Sequence, residues 1–360
     1  MPRAESAEAG RGAASRALER RVEAAWQARG GLARLLWPLS LLYRAVVAGR
    51  RALFALGVLR AERIAVPVVV VGNLIAGGAG KTPAVLAVAA ALRRRGWTPG
   101  IVSRGHGRAA EGLLEVTAAT PASACGDEPR LLQLRSGAPV MVGRDRPAAA
   151  RALLRRHPAV DVVVSDDGLQ HLRLARDAQL IVFDERGIGN GWLLPAGPLR
   201  EPMAREAPAR SVVLYNATAP STAWPGSLAR RALAGASALA DWQAGAAPSA
   251  ALLALLQERP LLAAAGIARP GRFFAMLRER GLQIDELPLP DHYPFTTLPW
   301  PAHTRDVIVT EKDAVKLVGP GTALGTTRVW VATLDFELAP ACVDALARLL
   351  PTPPARREGP

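Results

Sequence analysis

The chain has 360 residues, half of them hydrophobic, so it can bury a sizeable core and hold two domains. Its formal charge of +14, nearly all from arginine, points to a polyanionic partner such as a phosphorylated substrate or an anionic membrane face; with few aromatics and no basic run interleaved with stacking rings, no nucleic-acid partner is expected. Two cysteines, Cys125 and Cys342, exclude a disulfide framework, and the five histidines form no zinc-type spacing with them.

Residues 1–25 carry charges of both signs and no continuous apolar stretch, which predicts a disordered leader rather than a signal peptide. In residues 26–62, Leu32, Leu35, Leu36, Leu39, Leu42, Tyr43, Val46 and Val47 fall at helical spacing among arginines, with no acid between Glu23 and Glu62. This amphipathic helix suits the surface plane of an anionic membrane, or equally a place on a sheet with its arginines solvated. Pro38 is expected to start or kink it. Arginine or proline interrupts every apolar run short of the roughly 20 residues a bilayer span needs, so no span is expected.

Val66 to Pro83 reads as a buried strand, a glycine loop and a Lys-Thr pair opening a helix. That order builds a phosphate cradle: Gly77, Gly78, Ala79 and Gly80 let backbone N–H groups close around oxygens, Lys81 supplies charge, and Thr82 offers a hydroxyl to Mg²⁺. A nucleoside triphosphate is the ligand this pattern implies. Ile75 stands where the general pattern has glycine. The helix that follows gains Pro83 in its first turn and ends in Arg93, Arg94, Arg95 and Gly96.

Further strands are expected at 100–103, 160–165, 180–184 and 211–215, alternating with helical stretches such as Arg146 to Arg156. This predicts an α/β fold: a mostly parallel P-loop NTPase-like sheet flanked by helices over 63–220, with ligands gathered at the carboxyl ends of the strands. A smaller α/β lobe is expected over 221–350, with strands at 260–266, 307–310 and 328–332, then a disordered tail at 351–360. Residues 219–248, rich in Ala, Ser, Gly and Pro, give little strand signal.

Asp166 and Asp167 follow directly on a valine strand, where a phosphate-loop enzyme places magnesium ligands; two adjacent carboxylates need a cation or a shared proton to sit together, although Asp-Asp-Gly is also a good turn sequence. Asp127 and Glu128 precede a helix and read as its cap or as a carboxylate base for an attacking hydroxyl. His292 beside aromatics reads as structural unless the lobes close to bring it to Asp127. Glu311-Lys312-Asp313 reads as a solvated turn, and Cys125 as a buried filler. Ser103, Arg104 and His171, with Arg200 and Glu201 on a proline-pinned loop, are candidate substrate-reading residues.

Taken in order, Trp37-Pro-Leu-Ser-Leu-Leu-Tyr43, Val71-Gly-Asn73, Gly77 to Pro83, Ser103 to Arg108, Gly126-Asp-Glu-Pro129, Asp166 to His171, Leu193 to Pro202, Asp291 to Phe295 and Thr310 to Ala314 resemble the tetraacyldisaccharide 4′-kinase family of lipid A biosynthesis. The resemblance runs from Trp37 to Asp335 and includes the irregular loop at Ile75; His106 departs from the tyrosine more usual there. It implies transfer of the γ-phosphoryl of ATP to the 4′-hydroxyl of tetraacyldisaccharide 1-phosphate, giving lipid IVA. Lys81 and Thr82 would hold phosphates and Mg²⁺, Asp166 and Asp167 would serve the metal, and Asp127 would act as base in a dyad with His292. The amino-terminal helix would lie peripherally on the cytoplasmic face of the inner membrane. The rival readings are a P-loop switch ATPase working through protein partners, against which Ala76 stands where those carry lysine, and a membrane-surface protein that uses nucleotide only for stability.

Overall fold

A computed structural model describes residues 21–108, 111–317 and 324–354. The first sheet comprises β1 (Val68–Gly72), β2 (Pro99–Ser103), β3 (Leu114–Val116), β4 (Val140–Val142), β5 (Val162–Asp166), β6 (Ala178–Asp184), β7 (Ser211–Asn216) and β8 (Ser227–Leu228). Their spatial order is β3-β4-β2-β5-β1-β6-β7-β8, and every pairing is parallel except β3 with β4. The central strand β1 pairs Val68 with Val163 on one side and Val69 with Ala178 on the other, and all its residues are buried. That is why it reads as an unbroken apolar run. Val69 and Val71 face the helix Lys81–Arg94, while Val68 and Val70 join the core under the helix Arg146–Arg156.

The second sheet contains β9 (Arg230–Ala238), β10 (Leu261–Ala265), β11 (Ile284–Pro288), β12 (Asp306–Thr310) and β13 (Arg328–Glu337), ordered β11-β10-β12-β13-β9. Only β13 and β9 run antiparallel. β9 lies in the stretch that carried little strand signal. Its small residues serve close packing: a Cβ at Gly235 would come within 2.6 Å of the Ser249 carbonyl carbon, where Ala236 and Ser249 exchange backbone hydrogen bonds. The last helix, Pro340–Arg348, returns to the first sheet and buries Cys342 and Leu346 there. The chain therefore passes between the two units twice.

Of the expected leader, residues 1–20 lie outside the described residues; 21–25 are helical, and Trp26 donates its indole N–H to the Pro195 carbonyl at 2.9 Å. Of the expected tail, 351–354 carry no regular structure and 355–360 lie outside the described residues.

The helix Gly31–Ala55 runs unbroken through Pro38. By length and composition alone it is long and apolar enough to cross a membrane, because arginines spaced along one helix leave a window of 18 residues with mean hydropathy 1.3. Its polarity is inverted relative to an ordinary docked helix. The inner face holds to the protein through polar groups: Ser40 Oγ donates to the Leu193 carbonyl at 2.9 Å and accepts from Ala196 N–H at 3.0 Å, Tyr43 OH donates to the Arg200 carbonyl at 2.9 Å, and Arg51 pairs with Glu201 at 2.6 Å. Outward, Leu35, Leu39, Leu42 and Val46 are exposed by 75, 55, 65 and 62%.

Ser40→Ala leaves the buried Ala196 N–H without its acceptor, while the Leu193 carbonyl keeps the Gly197 N–H at 2.9 Å. It is expected to cost about 1–3 kcal/mol in chemical denaturation and to hasten proteolysis within 31–55.

Candidate functional site

Between the units lies a cleft of about 1490 Å³, lined by Gly77, Gly78, Gly80, Lys81, Thr82 and Asp166 from the first sheet and by His292 and Lys312 from the second unit. Parallel strands put β1, β2 and β5 with their carboxyl ends at one edge, and the glycine loop, Ser103 and Asp166 leave from there.

Gly77 and Gly80 both sit at φ +84, a region that favours glycine, and a Cβ on Gly80 would come within 2.2 Å of Asn216 Nδ2. Asn216 braces the loop by donating to the Ala79 carbonyl at 3.2 Å. Arg186, held against buried Asp184, donates to the Gly78 carbonyl at 3.0 Å. Ile75 is fully buried and bridges to Leu199, while Ala76 N–H bonds the Pro198 carbonyl at 2.7 Å. The loop thus rests on the proline-pinned segment, and an apolar side chain serves there better than glycine. The Lys81 ammonium lies 3.2 Å from Asn73 Oδ1 and 3.5 Å from Asp167 Oδ1.

The two aspartates have opposite electrostatics. Asp166 is 2% exposed; Ser103 donates to its Oδ2 at 2.8 Å, and its Oδ1 is buried without a partner. Burial, with the charges of Glu128 and Asp167, pushes its carboxyl up to about 7. Asp167, at φ +47, accepts from Arg200 at 3.0 Å. Burial would raise its carboxyl, but Lys81 and Arg200 together bring it below the usual range. The open acceptor therefore belongs to Asp166, while Asp167 is engaged as counter-ion to two cations. Arg146, buried beside them, bonds the Asp166 carbonyl at 3.1 Å; burial lowers it to about 10, so it stays charged at neutral pH.

Asp127 opens the helix Asp127–Ser136, and His292 stands 165 positions away on the second unit, yet His292 Nδ1 lies 2.9 Å from Asp127 Oδ2. Asp127 Oδ1 accepts from Glu128 N–H at 2.9 Å. Burial pushes the Asp127 carboxyl up, but the His292 hydrogen bond and the charges of Lys312, His292 and Lys316 leave it lowered. His292 is raised, chiefly by that same bond. The two lobes meet here: Leu131 of the Asp127 helix is buried with Phe295, Trp300 and Val315, and Arg135 pairs with Glu311.

Among the other expected residues, Ser103, Arg104, His171 and Arg200 line the cleft, and His171 Nε2 lies 3.1 Å from the Arg144 carbonyl. Ala79 and Glu201 are buried and do not line it; Glu201 ties Arg51 and Gln170 to the loop. Cys125 is buried, and its thiol is pushed up to about 11 by burial, as befits a filler. Arg186, Asn216 and Lys312 went unassigned. Of these, only Lys312 sits in a noted motif, and its Glu-Lys-Asp run has the composition of a solvated turn.

Among the described residues no three His, Cys, Asp or Glu side chains form a metal cage. The residues fit the other magnesium pattern, in which one or two carboxylates share the ion with substrate phosphates: the unpartnered Oδ1 of buried Asp166, close to the Lys81–Thr82 helix start, is an acceptor that a divalent cation would satisfy.

In the comparisons with known proteins, a family model described as tetraacyldisaccharide-1-P 4′-kinase (LpxK) matches residues 32–351. A tetraacyldisaccharide 4′-kinase of Methylibium petroleiphilum is 59% identical over 342 residues, 93% of this chain and 94% of the relative. One from Leptothrix cholodnii is 58% identical over 338 residues, 93% and 97% respectively. A crystal structure of LpxK from Aquifex aeolicus in complex with ATP superposes with a TM-score of 0.72 at 25% identity, covering 89% of this chain and 99% of that one.

A carboxyl raised by burial destabilises the fold when ionised. The cost of Asp166 is present in full above about pH 7 and disappears as pH falls toward the unfolded value near 4. Asp166→Asn is therefore expected to melt at least about 2 °C higher than wild type near pH 8 without nucleotide or metal, and the difference should narrow toward about pH 5.

Proposed function

The chain belongs to the tetraacyldisaccharide-1-P 4′-kinase family, and from that premise we propose the role of each residue in the cleft. The enzyme transfers the γ-phosphoryl of ATP to the 4′-hydroxyl of tetraacyldisaccharide 1-phosphate, giving the lipid A precursor lipid IVA. The partner-switch reading is not favoured.

The observation that carries the assignment of roles is the 2.9 Å contact between Asp127 and His292 at the cleft that also holds Lys81 and Asp166. A sugar hydroxyl is a weak nucleophile at neutral pH, so transfer needs a base, in-line positioning and charge neutralisation. Asp127 takes the hydroxyl proton: its lowered pKa keeps it ionised, and His292 orients it. Gly77, Gly78 and Gly80 cradle the phosphates with backbone N–H groups, and Lys81 at the helix start neutralises the charge that develops on the transferred group. Thr82 and Asp166 would hold Mg²⁺, whose chemistry there is charge neutralisation on the phosphates; Asp167 sets the position of Lys81 and Arg200. Arg104 and Arg200 at the cleft suit the anionic glycolipid.

The helix 31–55 lies peripherally on the cytoplasmic face of the inner membrane, its apolar outer face among acyl chains and its arginines toward anionic headgroups. Its position brings the acylated substrate to the cleft, because Tyr43 and Arg50 reach the cleft wall from the same helix.

Incubation with labelled ATP and tetraacyldisaccharide 1-phosphate in detergent, followed by lipid chromatography, tests the reaction; ADP release independent of the acylated acceptor would defeat it. Asp127→Ala is expected to lower kcat about 100-fold or more while ATP binding persists, and unchanged turnover would remove Asp127 as base. Lys81→Ala is expected to abolish turnover. In flotation with vesicles containing anionic phospholipid, Leu35→Glu with Leu42→Glu should leave the protein unbound where wild type floats; equal flotation would exclude this face as the anchor.

A further inference from the structure

The glycine loop is held from behind. Asp184 closes β6 and Asn216 closes β7, and the two are register partners at the carboxyl edge of adjacent parallel strands. Asp184 is fully buried and holds Arg186 through Nε at 3.0 Å. The rest of that guanidinium fork reaches the loop: Nη1 donates to the Ala76 carbonyl at 3.3 Å and Nη2 to the Gly78 carbonyl at 3.0 Å. Asn216 donates to the Ala79 carbonyl. In a trans peptide the N–H points opposite to the carbonyl. With the carbonyls of Ala76 and Ala79 drawn back, the N–H groups of Gly77 and Gly80 turn away from these braces, and both glycines line the cleft.

Each brace is engaged in turn by the second unit. Arg269, just before the helix Pro270–Glu279, has Nη1 3.5 Å from Asp184 Oδ2 and 3.4 Å from Glu185 Oε2, and Arg272 of that helix pairs with Glu185. Arg231 of β9 donates from Nη1 to Asn216 Oδ1 at 3.2 Å. Arginine has no acceptor, so the amide oxygen must face it, which leaves the amide NH₂ for the Ala79 carbonyl. The second unit also abuts the loop directly, since a Cβ on Gly78 would lie 3.5 Å from the Ala268 methyl.

We propose that Arg186 and Asn216 are positioning residues that set the binding shape of the phosphate loop, and that Arg269 and Arg231 of the second unit hold them to it, so that nucleotide affinity depends on contact between the units. This deepens the kinase reading and rests on the cradle at Gly77, Gly78 and Gly80. Position 186 needs the shape of arginine, because one planar fork reaches a carboxylate and two carbonyls at once; a lysine keeps the charge on a flexible stem and loses the fork. The Arg186 side chain is only 14% exposed beside buried Asp184, so solvent screens this pairing far less than a surface ion pair. Arg231 and Arg269 also line the cleft, so direct contact with the nucleotide is the competing role. The two roles differ in coupling. An arginine acting through a brace has little left to lose once the brace is gone, whereas one touching the nucleotide loses its contact either way.

The test titrates full-length protein in detergent with ADP and Mg²⁺ by calorimetry, and melting without nucleotide reports that each variant folds. Arg186→Lys, which keeps a charge beside buried Asp184, and Asn216→Ala should each weaken binding about tenfold. Each should raise KM for ATP by a similar factor and leave KM for tetraacyldisaccharide 1-phosphate within about twofold of wild type. Arg269→Met and Arg231→Met should each weaken ADP binding about three- to fivefold alone, but by less than about 1.5-fold when Arg186→Lys or Asn216→Ala, respectively, is already present. Wild-type affinity in Arg186→Lys and Asn216→Ala overturns the proposal. So do losses that multiply in full in both pairs, which would make Arg269 and Arg231 direct nucleotide ligands. If Lys81→Ala binds ADP as tightly as wild type, the cradle reading itself fails instead.

Discussion

The site depends on where the helix Asp127–Ser136 packs. Its sequence position places it between β3 and β4 of the first sheet, yet Leu131 is buried among Phe295, Trp300, Ala314 and Val315 of the second unit, and Arg135 pairs with Glu311. Burial of apolar side chains is non-directional and sums over the interface, so this packing holds the two units together while the directional bond between His292 and Asp127 fixes how those two side chains meet. Without that packing, a carboxylate on one unit and an imidazole on the other would have no reason to meet.

Electrostatics then divide labour among carboxylates of the same chemistry. Asp127 and Asp167 are brought down by cations placed beside them, whereas Asp166 is raised by burial and keeps one oxygen open. Groups of one type driven apart in this way are the pattern of a site whose carboxylates have distinct tasks, and the proposed base, counter-ion and metal acceptor follow that division.

The amino-terminal helix follows the opposite logic to the core. It reaches the protein through Ser40, Tyr43 and Arg51 and presents its leucines outward. Hydrogen bonds on one face and exposed apolar surface on the other leave the helix firmly attached yet incompletely buried. Tyr43 lies on the cleft wall, so the exposed apolar surface and the cleft share one element.

Much of this was legible in the residues. The valine run of β1, the glycines before Lys81 and the aspartates after β5 are local patterns, and local sterics and burial settle them: φ +84 at Gly80 favours glycine, and a strand flanked on both sides is apolar throughout. β9 was not legible, because its alanines and serine have little strand preference and become a strand only through pairing with β13 and close approach to Ser249. Ile75 looked like a flaw until Leu199 was seen against it, and Lys312 looked like solvated surface until Glu128, Asp291 and His292 surrounded it. The sequence by itself determined the nucleotide cradle and the family resemblance, since both reside in short contiguous motifs. Only the tertiary structure decided which aspartate keeps an open oxygen, where Glu201 points and how Asp127, His292 and Lys312 connect, because these depend on distances between residues far apart along the chain.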